Sequence, residues 1–253
     1  MGESEVSWAR FEQLRPDQLQ ELVNRTPVVY WPLGLIEHHG WGLPVGFDGL
    51  SAQALCVRCL RRTGGLLLPV MWWGGGGGHE RFKWTFYQPM EAARAIFETT
   101  MQRLIDFGFR CLVPMPGHGP WQWILDEVLP ELSEANPDVL IVGAPGTPGR
   151  PPDVEFKGDH AARWETGYGL ALFAELIDMS AVGDQRDLSK VWPAGGEPPE
   201  EGRHPLVNFD VSSPCFAQAG EDARLAKPED VEPMIEATVA HIAELVRAQL
   251  AGA

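Results

Sequence analysis

The sequence is short of thiols and of positive charge. Four cysteines among 253 residues cannot staple a chain of this size, which buries enough apolar surface to need no staples. Thiols used this sparsely point to a reducing compartment, so a cytoplasmic location is expected. Only 20 Lys and Arg stand against 35 Asp and Glu, a formal charge of −15. No basic cluster forms a footprint for phosphate backbones, which argues against a nucleic-acid partner. Long apolar runs are missing as well. Nothing approaches the ~20 residues of a membrane span, and residues 1–14 lack the apolar core of a signal peptide. A membrane partner is not expected either.

What is present is ordinary in bulk and unusual in detail. The apolar fraction of 44% and charged fraction of 22% are globular values, excluding collagen-like, coiled-coil and disordered chains. Apolar runs at 27–36, 66–71, 110–115 and 138–143 have the length of buried strands. Between and after them, helical spacing is found at 17–25, 50–62, 90–107, 121–132, 160–178 and 228–250. Residues 180–227 are rich in Pro and Gly and read as an irregular surface excursion. The alternation predicts one α/β domain over 1–253, with a mostly parallel sheet flanked by helices. Ligands of such sheets sit outside the carboxyl ends of the strands.

Polar residues gather at those ends. The segment 34–48, GLIEHHGWGLPVGFD, places Glu37, His38, His39 and Asp48 in one glycine-rich loop leaving a strand. Carboxylate and imidazole without thiolate suit Zn²⁺, Mn²⁺ or a similar ion in an open catalytic site. Asp48, just before a helix, equally suits an N-cap. His79 follows the second strand, and His118 stands at the mouth of the third in PGHGP, 116–120. In DHAARWET, 159–166, His160 and Glu165 lie about 140° apart if both are helical, and flank a pocket only if the helix starts later. Seven of the ten tryptophans (Trp41, Trp72, Trp73, Trp84, Trp121, Trp123 and Trp164) fall in or beside these segments, walls suited to a small flat substrate. The run Gly74 to Gly78 lacks the Lys-Ser/Thr of a phosphate cradle and reads as a flexible active-site loop.

These segments resemble the creatininase (creatinine amidohydrolase) family. Its pattern Gly-x-x-Glu-x-His-Gly-x-x-Leu-Pro-x-x-x-Asp is met by Gly34, Glu37, His39, Gly40, Leu43, Pro44 and Asp48. Its Gly-His-Gly element matches Gly117, His118 and Gly119, and its His-Ala-Gly-x-x-Glu-Thr-Ser element matches residues 160–167. A family histidine matches His79. The resemblance covers about 25–175, in order and spacing.

The resemblance implies a binuclear site for two divalent ions, Zn, Mn or Fe. Glu37, His39, Asp48 and His118 would be metal ligands, Asp48 bridging, and Glu165 the fifth ligand or a proton-transfer group. The family's glutamate two positions after its Gly-His-Gly histidine is Pro120 here. His160 would sit over the substrate as a proton-transfer or orienting group. Beside the resemblance, the placement of His79, Trp84, Trp121, Trp164 and Arg163 next to these motifs suggests that they line the substrate site. The implied reaction is hydrolysis of a C–N amide bond, lactam or formamide in type, through a metal-bridging hydroxide. The alternatives are a hydrolase opening a keto-cyclitol ring at a C–C bond, and a non-catalytic metal-binding scaffold. Trp121 replaces the family's Asn, Gly167 its Ser, and Trp84-Thr85 stands where Gly-Thr is usual, departures that argue against creatinine itself as substrate. The implied partners are a small molecule and further copies of the chain, as a homo-oligomer, a hexamer in the family.

Overall fold

A computed structural model describes residues 7–183 and 191–252. Five parallel strands form one sheet: β1 (Trp8–Arg10), β2 (Val28–Leu33), β3 (Gly65–Leu67), β4 (Cys111–Pro116) and β5 (Leu140–Ile141), in the order β1-β3-β2-β4-β5. Every residue of β2 is buried, as a central parallel strand covered on both faces requires. Its residues alternate between two cores. Val29, Trp31 and Leu33 face one that contains Phe97, Met101, Ile124 and Leu129, while Val28 and Tyr30 face one that contains Cys56, Leu60, Ile235 and Val239.

Helices α1 (Pro16–Arg25), α3 (Met90–Asp106) and α4 (Trp121–Ala135) cover the first face. Helices α2 (Phe47–Thr63), α5 (Arg163–Phe173) and α6 (Pro228–Ala251) cover the second. The expected parallel α/β sheet between helices is therefore present. The chain passes from β2 through α2 to β3 on one side, then through α3 to β4 on the other. Neighbouring connections diverge between β2 and β4, and a crevice opens where strand order reverses. The loops carrying Glu37–His39 and His118 leave from these two strands.

Several boundaries differ from the sequence expectation, and the strands expected over 66–71 and 138–143 shrink to Gly65–Leu67 and Leu140–Ile141. Strand β1 was not anticipated; three residues at a sheet edge, paired with β3 from Trp8↔Gly65 to Arg10↔Leu67, leave too little pattern to read. The helix expected over 160–178 spans only Arg163–Phe173. Its start is delayed because Ala161 lies in the left-handed region at φ 50° and the Asp159 carboxylate accepts the N–H groups of Trp164 and Glu165. Asp48 is no N-cap. Gly46 holds that position, and Asp48 sits inside the first turn of α2.

The described part of the excursion carries short 3-10 turns at Met179–Ala181, Glu200–Gly202 and Ala223–Leu225; its residues 184–190 lie outside the described residues. It is not merely surface. Val191, Val207, Phe209, Phe216 and Ala217 form a buried cluster with Phe82, and Trp192 packs against it. His160 and Ala219 exchange two backbone hydrogen bonds, tying the excursion to the start of α5.

Candidate metal centre

Two backbone approaches bring the carboxylates together. The loop after β2 doubles back so that the Glu37 N–H donates to the Val45 carbonyl, and α2 begins two residues later. Gly117, ending β4's turn, presses so closely on Asp48 that a Cβ there would stand 2.0 Å from the Asp48 carbonyl oxygen. His118 thereby reaches the same point as Asp48. Glu37, His39 and Asp48 are each 1% exposed.

The histidines are oriented by backbone carbonyls. A carbonyl only accepts, so the ring nitrogen facing it carries the proton. His39 donates from Nδ1 to the Glu37 carbonyl (3.0 Å), His118 from Nε2 to Gly76 (2.9 Å), His79 from Nε2 to Ala217 (3.0 Å) and His160 from Nε2 to His38 (2.9 Å). The other nitrogen of each ring turns to a carboxylate. His39 Nε2 lies 3.0 Å from Asp48 Oδ1 and 3.6 Å from Glu165 Oε2. His118 Nδ1 lies 3.2 Å from Asp48 Oδ2 and 3.3 Å from Glu37 Oε2. His79 Nδ1 is 3.4 Å from Glu37 Oε1, and His160 Nδ1 4.0 Å from Glu37 Oε2. The His160 ring stacks on His79 with centroids 3.7 Å apart and tilts over His39 at 4.4 Å.

The electrostatics call for positive charge at the centre. Desolvation works against the Glu37 and Asp48 carboxylates, but imidazoles outweigh it and lower both pKa values: His160, His118 and His79 for Glu37, His39 and His118 for Asp48. Desolvation likewise opposes charge on His39, yet Asp48 with Glu165 and Glu37 lifts its pKa to about 10; His118 is raised in the same way. His160, desolvated and beside His39, is held well below its usual value. Desolvation pushes Glu165 up to about 8, partly countered by His39. Even so, Glu37 Oε2 and Asp48 Oδ2 are fully buried and accept no hydrogen bond. Orphaned carboxylate oxygens beside imidazole nitrogens suit divalent cations, and the donors form compact groups. Glu37, Asp48 and His118 make one, His39, Asp48 and Glu165 a second, and Glu37, His39 and His160 a third, with ligand atoms in each within 4.8 Å of one another. Asp48 belongs to the first two through different oxygens.

Glu37, His39, Asp48, His118, His160, Glu165 and His79 thus converge. Of the proposed substrate wall, His79 joins them, whereas Trp84, Trp121, Trp164 and Arg163 do not. Trp121 is buried in the core against Phe97, donating from Nε1 to the Gly34 carbonyl, because a ring at the first turn of α4 points into the sheet. Trp164 packs toward α6, with Arg163 stacked on it at 4.8 Å. Arg163 is engaged by Glu221 and Asp230, both at 2.9 Å, a clamp between α5, α6 and the excursion rather than a substrate anchor. Trp84 is 62% exposed, with Lys83 over its ring. A crevice beside the centre is instead lined by His39, Trp41, Ala161, Thr166, Phe216 and Gln218.

Sequence reasoning passed over Tyr87, whose hydroxyl donates a short hydrogen bond to Glu37 Oε1, and Asp159, which holds the backbone of Glu165. Tyr87 stands in no recognisable motif, and Asp159 opens the segment 159–166 without a pattern that marks its role. The glycine run 74–78 lies beside the site: Gly76 supplies the carbonyl for His118, and the Gln88 N–H donates to the Gly74 carbonyl.

The sequence model of the family called Creatininase, described as creatinine amidohydrolase, matches residues 12–246. No curated protein matches the chain significantly. Among solved structures, a crystal structure of creatinine amidohydrolase (creatininase) aligns over 95% of this chain and 97% of its own, at 23% identity and TM-score 0.68. A glutamate-to-glutamine mutant creatininase of Zn-Zn type aligns over 96% and 98%, at 23% identity and TM-score 0.68. A creatininase with Mn aligns over 96% and 99%, at 23% identity and TM-score 0.67. At these identities the structural likeness speaks for the fold.

Proposed function

The chain belongs to the creatininase family of metal-dependent amidohydrolases, and from that premise we propose that it hydrolyses a C–N amide bond, lactam or formamide in type, in a small molecule. The observation that carries this reading is the division of Asp48, with Oδ1 toward His39 and Oδ2 toward His118. Glu37, Asp48 and His118 would hold one divalent ion, and His39, Asp48 and Glu165 the other, with Zn or Mn the first candidates given the solved relatives. Bound ions supply an acidified water and a Lewis acid for the carbonyl oxygen.

The chain's own residues do the rest. His160, its Nε2–H committed to the His38 carbonyl, presents Nδ1 to the centre and would carry a proton there to the leaving nitrogen. Glu165 acts as a ligand in this reading, anchored by the Ala161 N–H that donates to its Oε2 at 2.7 Å. It replaces the family glutamate whose place Pro120 takes, and it does so from a different element. Phe82 and Phe216 exclude water from the imidazole side. A cytoplasmic homo-oligomer accompanies the reading; the four thiols are unpaired, and no helix among the described residues is long and apolar enough to cross a membrane.

Metal analysis of the purified protein by plasma mass spectrometry tests this. About two ions per chain, lost in Glu37→Gln and His118→Ala, are expected, and would direct a screen of lactams and formamides. A chain that takes up neither Zn²⁺ nor Mn²⁺ is a scaffold, and the hydrolase reading fails.

A further inference from the structure

Glu37 uses its two oxygens differently. Oε1 accepts from the Tyr87 hydroxyl and faces His79 Nδ1, whereas Oε2 is buried with no hydrogen bond and faces His118. The last torsion of a glutamate is broad and nearly two-fold, so a buried carboxylate without a fixed partner can exchange its oxygens or present both. Tyr87 removes that freedom. Its own hydroxyl rotor is fixed too, because the His79 backbone N–H donates to the phenol oxygen at 3.1 Å and leaves the phenolic proton for Glu37. Residue 79 thus approaches the pair twice, by main chain and by ring.

The main chain has been shaped around this contact. Gly77 lies at φ 121°, and a Cβ there would stand 2.3 Å from the Tyr87 hydroxyl oxygen and 3.5 Å from Glu37 Oε1. No side chain fits between the glycine run and the phenol. Tyr87 itself is carried in by the Phe86 N–H, which donates to the Ile36 carbonyl next to Glu37.

We propose that Tyr87 is a positioning residue that makes Glu37 a single-oxygen ligand, reserving Oε2 for the cation site shared with Asp48 and His118. Gly77 is the conformational requirement for that contact. The proposal rests on the metal-centre reading above and adds a selectivity to it: Tyr87 governs one of the two ion sites and leaves the other, made by His39, Asp48 and Glu165, nearly untouched.

The test is a Zn²⁺ titration of the chelator-stripped full chain against a chromogenic competitor, with ions per chain counted by plasma mass spectrometry. Tyr87→Phe removes only the hydroxyl. One site is expected to weaken about 10–100-fold, the usual cost of losing a partner behind a ligand, while the other keeps its affinity. Glu165→Gln should weaken the opposite site, and the double variant should show both losses added. In the wild type, Zn²⁺ should shift the near-ultraviolet tyrosine band, a signal absent in Tyr87→Phe. Should Tyr87→Phe fail to fold, Gly77→Ala, which displaces the phenol without altering it, is read in the same way. Unchanged affinity at both sites in a folded variant, or equal weakening of both, overturns the role of Tyr87 and leaves the metal centre standing. A wild-type chain that binds no Zn²⁺ overturns both.

Discussion

The loop of residues 34–48 and the excursion beyond residue 180 meet at the same imidazoles and contribute opposite things. The first supplies Glu37, His39 and Asp48, whose buried oxygens and nitrogens can hold cations. The second supplies no such donor among its described residues. It gives the Ala217 carbonyl that orients His79, the strand-like pairing of Ala219 with His160, and the rings of Phe209 and Phe216. One segment supplies the candidate ligands and, through the Glu37 and His38 carbonyls, orients His39 and His160; the other orients His79 and covers the rings with apolar side chains. A site needs both, because a carboxylate–imidazole cluster open to water would be screened and disordered.

The comparison can be broken most severely at Asp48. Asp48→Asn should abolish uptake of both ions and cut any amidase activity by more than the ~10–100-fold loss typical of an outer partner. Metal counting and rate measurement check this, and retention of two ions would disprove the shared role. Within the excursion, Phe216 is 4% exposed and packs on Phe82 and Trp192, so Phe216→Ala should cost about 3–5 kcal/mol in urea unfolding while ion uptake survives. Loss of the ions in that variant would erase the distinction between the two segments.

A finer probe is the pH dependence of stability. His38 stacks on Phe82 with centroids 5.0 Å apart, and burial, helped by His79 and His39, pushes its pKa down to about 3. The unfolded chain takes up this proton near pH 6.5 and the folded chain does not. The stability that the neutral ring contributes is therefore complete above pH 6.5 and lost as pH falls toward 3, by at most about 1.4 kcal/mol per unit. His38→Phe, which keeps a flat ring against Phe82, should flatten the acid limb of the unfolding curve by that slope. Coincident limbs would mean that His38 already carries its proton in the folded protein.

Much of this could be read in advance, and the reason is local. The apolar run of β2, the helical spacing of α3 and α6 and the turn residues around them are set by side chains within a few positions of one another, so the parallel sheet was legible. Glu37, His39 and Asp48 were legible because a fifteen-residue loop holds them all, and His118 because its strand ends on the same rim. Trp121 and Arg163 were misplaced for the complementary reason. Which way an aromatic ring or a guanidinium turns depends on partners far along the chain: Gly34 and Phe97 for one, Glu221 and Asp230 for the other.

The sequence by itself determined the strand–helix alternation, the rim on which polar residues collect and the chemical type of the donors, since hydrophobic period and residue identity are properties of the chain. Only the tertiary structure decided that Asp48 divides its oxygens, that Tyr87 closes one side of Glu37 and that the excursion covers the imidazoles. Those outcomes rest largely on contacts between residues 50 to 138 positions apart, whose distances and hydrogen-bond directions exist only once the sheet has brought them together.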